Sequence, residues 1–373
     1  MNRAIKYRAY PTEEQVTLFN KTCGCIRWYW NHALSDAMEF RAATDIAFVA
    51  TPAKYKSEAE FLKEVDSLAL ANAQLCLQSA WHKYFTEKSI SEPRYKSRKK
   101  NDVASYTTNK VGNNIVLGDN SIRLPKIGDL RIRKHRSPQN GWHLKSVTVS
   151  VTADKMYVSV LFEIKQQPPQ KMTVSSADDV LGLDYSMPHL YIDSNGNEPG
   201  YSRYYYLVQN RLADEQRKLS HMVAGSSNYK KQRHKVCALQ AHTANQRKDF
   251  LHKLSTQITN EYKAVGVEDI NLRGMAGALH FGKRTNDNGF GMLRNMIQYK
   301  IESQGGYFVV IDKFLPSTQR CSCCGYVLTN EEKLSLKDRM WNCPCCHTEH
   351  NRDINAAVNI RNAAFEMLNR IAV

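Results

Sequence analysis

The chain has 373 residues, enough for two or three domains, and an ordinary apolar fraction of 42%. No apolar run approaches the roughly 18–20 residues that cross a bilayer, and the basic start Met1–Arg8 lacks the apolar stretch of a signal peptide, so a soluble cytoplasmic protein is expected. Lysine and arginine number 52 against 36 acids, a net charge of +16, which points to a polyanionic partner; the basic residues are too dispersed for a terminal membrane-surface helix.

The first ten residues alternate apolar and basic like a strand, and Pro11 breaks the pattern. Thr12-Glu13-Glu14-Gln15 has the form of a capping box, and Val16, Phe19, Cys23 and Ile26 then recur at helical spacing. Residues 12 to about 92 read as mostly helical, with a second long helix over roughly Ser57 to Thr86. Trp28, Tyr29, Trp30, Trp81, Tyr84 and Phe85 fit either a helix–helix core or a base-stacking platform, with core the commoner use of such a set. Pro93 closes this part. Arg94 to Lys100 then carries five basic residues in seven, around Tyr95, and suits a solvated loop or contact with phosphates.

Residues 103 to 165 are β-rich. Ser146–Val151 and Tyr157–Leu161 alternate with period two around a turn at Thr152-Ala153-Asp154-Lys155. The N-terminal strand is expected to join them, which makes the helical part an insertion. Gln166-Gln167-Pro168-Pro169-Gln170 reads as a linker. Beyond it come strands at Asp179–Asp184 and His189–Asp193 and a short third at Arg203–Tyr206. A long polar helical region covers Leu207 to Glu261, with ten basic residues and three acids between Gln209 and Lys253. Strands ending near Glu268 and Ile311 and a helix from about Asn355 complete an RNase H-like order.

The expected fold class is therefore multidomain α+β: a β-barrel-like module (residues 1–10 and 93–165) with a helical insertion (11–92) and a linker (166–175), then an RNase H-like α/β domain (176–314 and 351–373) carrying a zinc-ribbon-type insert (315–350).

Three acids stand out. Asp184 ends the apolar run Leu181-Gly182-Leu183, Glu268 ends Val265-Gly266-Val267, and Asp353 opens the last helix. A carboxylate at the end of a buried strand is desolvated unless something cationic meets it. Singly, each suits a strand-end or capping role. Together they form a hard-oxygen site for Mg²⁺, and two ions about 4 Å apart can drive phosphodiester hydrolysis.

Of ten cysteines, six lie between Cys321 and Cys346. Cys321-x-x-Cys324, then 18 residues, then Cys343-x-x-Cys346 has the spacing of a four-thiolate, closed, structural Zn²⁺ site. Cys323 and Cys345 fall outside that spacing, and His347 and His350 are alternative ligands.

At these residues the chain resembles the TnpB family, the insertion-sequence relatives of type V CRISPR effectors. The likeness runs through Tyr10–Gln15, Pro93-Arg94-Tyr95-Lys96-Ser97, Leu124-Pro125-Lys126-Ile127-Gly128, Asn245–Lys253, Val267–Asn271, Cys321-Ser322-x-Cys324-Gly325 and Asn351–Ala357. The resemblance implies a monomeric, prokaryotic RNA-guided DNA endonuclease. It would bind a guide RNA from the end of its own element, recognise a short motif beside a double-stranded DNA target and cut at one RuvC site with Asp184, Glu268 and Asp353. Asp269 is not expected to be a ligand.

Under the same resemblance, Arg94, Lys96, Arg98, Lys99, Lys100, Lys230, Lys231, Arg233, Arg247 and Lys248 become candidate nucleic-acid backbone contacts. Asn72 and Gln74 are either base readers or ordinary surface polar residues. Asn351 stands where many members carry Asp, and Tyr185-Ser186 replaces a commoner Leu-Gly. A guided binder without nuclease activity and a strand-transferring transposase are the competing readings.

Overall fold

The computed structural model describes residues 2–97, 104–152, 154–165, 169–272, 274–275, 287–335 and 337–371. The chain divides into two compact units, Met1–Gln166 and Gln167–Val373.

In the first unit, β1 (Asn2–Tyr10) buries Ile5, Tyr7 and Ala9 on one face, as its alternation requires. Helix α1 (Glu13–Thr44) starts in a complete capping box: the Thr12 hydroxyl accepts from the Gln15 amide at 3.3 Å, and the Gln15 side chain accepts from the Thr12 amide at 3.1 Å. A single turn, α2 (Pro52–Tyr55), precedes α3 (Ser67–Thr86). The long helix expected from Ser57 therefore begins ten residues later. Asp66 accepts from the Leu68 amide at 2.9 Å and caps α3, while Glu60–Lys63 winds as a 3₁₀ turn. Tyr29, Trp30 and Trp81 are core, Trp28 and Tyr84 pack against it, and Phe85 is exposed.

Strands β2 (Ala104–Asn109), β3 (Val116–Leu117), β4 (Ser121–Leu124), β5 (Gly128–Arg133), β6 (Trp142–Thr152) and β7 (Lys155–Ile164) join β1 in one antiparallel sheet of order β2-β6-β7-β1-β5-β4-β3. The strand that opens the chain thus lies mid-sheet, and the helices are inserted after it.

The second unit is built on β8 (Val180–Ser186), β9 (Leu190–Asp193), β10 (Ala264–Glu268) and β11 (Tyr307–Ile311), in the order β11-β10-β8-β9. β8, β10 and β11 are parallel and β9 runs against β8. Between β9 and β10 stand α4 (Tyr204–Ser220) and α5 (Ser227–Glu261); α6 (Phe290–Ser303) precedes β11. Strands β12 (Met340–Asn342) and β13 (Glu349–Asn351) form a small ladder, and α7 (Arg352–Ile371) ends the described chain.

The third strand expected at Arg203–Tyr206 is instead the start of α4. Its first tyrosine packs across to α5: the ring of Tyr204 lies 6.3 Å from that of Phe250, and the ring of Tyr201, just before the helix, lies 5.6 Å from it. The single long helical region also divides, at Gly225 (φ +87°) and the capping residue Ser226. No helix among the described residues is long and apolar enough to cross a membrane.

Period-two alternation sorts β8 and β10 onto two faces. Leu181, Leu183, Val265 and Val267 pack with Leu251, Ile258, Leu293 and Ile297 of α5 and α6. Val180 and Ala264 pack with Ile360, Ala364 and Leu368 of α7. Gly182 and Gly266, directly paired across the ladder, are on the α7 side. A Cβ on Gly182 would lie 2.1 Å from the Ala357 carbonyl, and one on Gly266 2.8 Å from the Ala364 methyl. The two glycines let the α7 backbone rest on the sheet itself.

Gly182→Ala is expected to push α7 off the sheet and destabilise the unit by about 2–3 kcal/mol. Gly24→Ala, mid-helix with nothing within 4 Å of its new methyl, should stabilise by about 0.5–1 kcal/mol. Urea midpoints of the two variants check this; equal midpoints would contradict the close-approach account.

Candidate functional site

Two residues beyond each glycine on the same strand face stand the acids. Gly182-Leu183-Asp184 and Gly266-Val267-Glu268 run parallel, with Gly182 and Leu183 paired to Gly266 and Val267, so Asp184, within β8, and Glu268, at the end of β10, follow the last paired residues of the two strands. Both face the side covered by α7, whose first turn carries Asp353. Asn351 caps that turn, its Oδ1 accepting from the amides of Asp353 (3.0 Å) and Ile354 (3.2 Å). The Asn at this position thus satisfies the helix end as an Asp would.

The three acids feel one another. Burial pushes the Asp184 carboxyl well above the ordinary carboxylate range, the charges of Glu268 and Asp353 push it further, and Arg352 and the Tyr185 amide oppose the shift. Asp353 is held by two guanidinium groups. Arg352 Nη2 lies 3.1 Å from its Oδ1, and Arg339 pairs with its Oδ2. Glu268 accepts from the Ser317 hydroxyl. Among the described residues no cation forms an ion pair with Asp184 or Glu268, and Arg352 acts on Asp184 only from beyond ion-pair distance.

The tightest group of donors is elsewhere. Sγ atoms of Cys321, Cys324, Cys343 and Cys346 all lie within 4.8 Å of one another, a spread the three carboxylates do not match. Cys321–Cys346 and Cys324–Cys343 are each 3.6 Å apart. Tetrahedral zinc with 2.3 Å bonds places sulfurs about 3.8 Å apart, so the cage fits that ion. His350 is not in the set: its Nε2 sits 3.0 Å from Cys321 Sγ, a hydrogen-bonding position beside a ligand. His347, Cys323 and Cys345 lie outside the cage.

The cage is tied to the acids by residues that sequence reasoning missed. Asn355 Nδ2 donates to the Arg320 carbonyl at 2.7 Å, and its Oδ1 accepts from the Ser322 amide at 2.9 Å. Asn359 Nδ2 donates to the carbonyls of Ser317 (2.8 Å) and Arg320 (2.6 Å). These two buried asparagines, one turn apart on α7, clamp the first cysteine knuckle and the Ser317 loop. The Arg352 amide donates to the Arg339 carbonyl at 2.8 Å, which extends the β12–β13 ladder to Asp353. The available signal was two Asn at i, i+4 on an otherwise apolar helix face.

The basic candidates divide. Arg94 is exposed, and its carbonyl accepts from the Trp30 indole at 3.0 Å. Lys96 is not an open contact: its ammonium lies 3.7 Å from the Trp30 ring centroid, and burial lowers its pKa. Arg98, Lys99 and Lys100 fall outside the described residues. Lys230, Lys231, Arg233 and Lys248 are exposed on α5. Arg247 is committed to the buried carboxylate of Asp287 at 3.0 Å, because a buried acid needs a cation more than solvent does. Asn72 and Gln74 are half-buried on α3.

In metal-free solution at neutral pH, Asp184 opposes folding, since its raised carboxyl makes the charged form costly. Stability is then fullest below the ordinary carboxyl value of 3.8 and falls as pH rises from there towards the raised value. Asp184→Asn should raise the melting temperature at pH 8 by about 2–4 °C without divalent ions, with a smaller gain at pH 5. Added Mg²⁺ should stabilise the parent and not the variant. Equal shifts at both pH values would contradict the coupling.

Three family profiles match the chain: a "Helix-turn-helix domain" over residues 1–44, a "Probable transposase" over 159–279 and a "Cas12f1-like, TNB domain" over 290–360. A protein of Streptomyces pristinaespiralis named as a candidate RNA-guided DNA endonuclease is 34% identical over 369 residues, covering 96% of this chain and 89% of its own. The candidate RNA-guided DNA endonuclease InsQ of Escherichia coli K12 is 28% identical over 98% of this chain and 93% of its own. Among solved structures, the Cas12f1–sgRNA–target DNA complex matches with a TM-score of 0.59 at 12% identity, over 97% of this chain and 99% of that one, which is a likeness of fold.

Proposed function

Because the chain belongs to the TnpB family, we propose that it is an RNA-guided DNA endonuclease that cuts at the single centre formed by Asp184, Glu268 and Asp353. The observation that supports this is that Asp184 and Glu268 lie on the sheet face covered by α7, whose first turn carries Asp353, with the Asp184 carboxyl raised by burial and then by the charges of the other two.

Asp184 and Glu268, which form no ion pair among the described residues, would hold divalent cations, with Asp353 completing the ligand set. Bound Mg²⁺ would supply an activated water and neutralise charge developing on the phosphate. Arg339 and Arg352 compensate Asp353 when no metal does. Arg339, more than half exposed, is free to turn from that carboxylate towards a phosphate. Ser317 fixes the Glu268 side chain. The four-cysteine cage would take structural Zn²⁺, leaving no open position for chemistry there.

Specific recognition would come from pairing between a bound guide RNA and one strand of double-stranded DNA, with the protein gripping the backbone. Lys230, Lys231, Arg233 and Lys248, all exposed on α5, suit that grip.

The test is a preparation carrying its co-purified RNA, incubated with Mg²⁺ and a plasmid matching that RNA. Linearised product is expected, with Asp184→Asn, Glu268→Gln and Asp353→Asn each slowing cleavage at least about a hundredfold. Bound but uncut plasmid would replace the proposal with a silent guided binder. Joined rather than broken strands would replace it with a transposase.

A further inference from the structure

Between β11 and the first cysteine knuckle the chain makes a compact turn over residues 312–317. Asp312 Oδ1 accepts from the Phe314 amide at 2.8 Å, and the Asp312 carbonyl accepts from the Leu315 amide at 3.0 Å. The Ser317 amide donates to the Leu315 carbonyl at 2.8 Å, and the Ser317 carbonyl is clamped by Asn359. Leu315 packs inward against the cluster of Val309, Ile311 and Ile360. The backbone that carries Phe314 is thereby held at both ends.

Phe314 itself faces away, 80% exposed, the most exposed large apolar side chain among the described residues. A lone exposed apolar residue ordinarily means nothing. Three further facts distinguish this one. The ring projects from an ordered turn rather than a loose loop. Lys313 Nζ lies 4.9 Å from the ring centroid, so a cation stands beside it. Ser317, three residues on, bonds Glu268, which keeps Phe314 within about 10 Å of a residue touching the acid cluster.

An exposed aromatic ring on a hydrogen-bonded turn, with an adjacent ammonium, suits a base and its phosphate, because every nucleobase offers a π-face and stacking is tolerant of sequence. We propose that Phe314 is a stacking platform for an unpaired nucleobase flanking the bond to be cut, with Lys313 on the neighbouring phosphate. This rests on reading Asp184, Glu268 and Asp353 as a nuclease centre. The ring, carried on a backbone held at both ends, would set which phosphate falls over the carboxylates.

The experiment uses guide-loaded protein with Asp184→Asn, so that DNA stays intact, and a matched target carrying 5-iodouracil at successive unpaired positions. Long-wavelength irradiation crosslinks this base to an aromatic stacked on it. The expected result is a crosslink on the peptide holding Phe314, at one or two adjacent positions. It should be lost in Phe314→Ala and Phe314→Leu and kept in Phe314→Tyr. Phe314→Ala should also weaken binding of a short single strand about tenfold. With 80% of the residue exposed, unchanged urea midpoints confirm that the variants fold. Crosslinks that ignore Phe314, or a Leu variant that binds like the parent, would overturn the proposal; the second outcome would make the residue an apolar protein contact. A parallel sample with intact Asp184 and Mg²⁺ reports cleavage separately, so a failed nuclease reading and a failed stacking site give different results.

Discussion

Three carboxylates packed under one helix repel one another, and the second unit is arranged around that repulsion. Asp184 shows it most plainly, with its carboxyl raised by burial and by the charges of Glu268 and Asp353. Proteins keep such an arrangement when a cation resolves it. Here Arg339 and Arg352 pair with Asp353, and Arg352 also opposes the shift at Asp184. The fold brings the acids together by a repeated device. In each of two paired strands a glycine opens the sheet face to α7, and two residues later an acid meets the helix's first turn. Close approach and electrostatic strain have one source.

The cysteine cage belongs to the same arrangement. Through Asn355 and Asn359 it is clamped to α7, and through the β12–β13 ladder it reaches the residue before Asp353. The Ser317 loop, also clamped by Asn359, reaches Glu268. An ion held in that cage would therefore brace the segments that carry Asp353 and the Ser317 partner of Glu268. His350, beside Cys321, links the ladder to the cage directly.

Patterns that are local were legible in the sequence. Apolar strands ending in acids, knuckle spacing and the Thr12 box depend on neighbours a few residues away, and the multidomain α+β architecture followed from their order. Patterns set by distant packing were not. The run Arg203–Tyr206 has strand-like composition, but Tyr204 is used against Phe250 on a helix. Lys96 and Arg247 counted as free charges until Trp30 and Asp287 were seen beside them. Ser317 and Arg339 act across 49 and 14 residues of chain, where no spacing rule reaches. The glycine–x–acid repeat was present in both strands and needed only the knowledge that a helix crosses that face.

The central claim is that Asp184, Glu268 and Asp353 share divalent ions. The most direct measurement is Mn²⁺ binding to RNA-free, zinc-loaded protein, followed through the electron paramagnetic resonance signal of the free ion. The account predicts one or two bound ions per chain, with affinity falling sharply in each single neutralising variant of the three acids. Mn²⁺ binding unchanged in any one of those variants would contradict it.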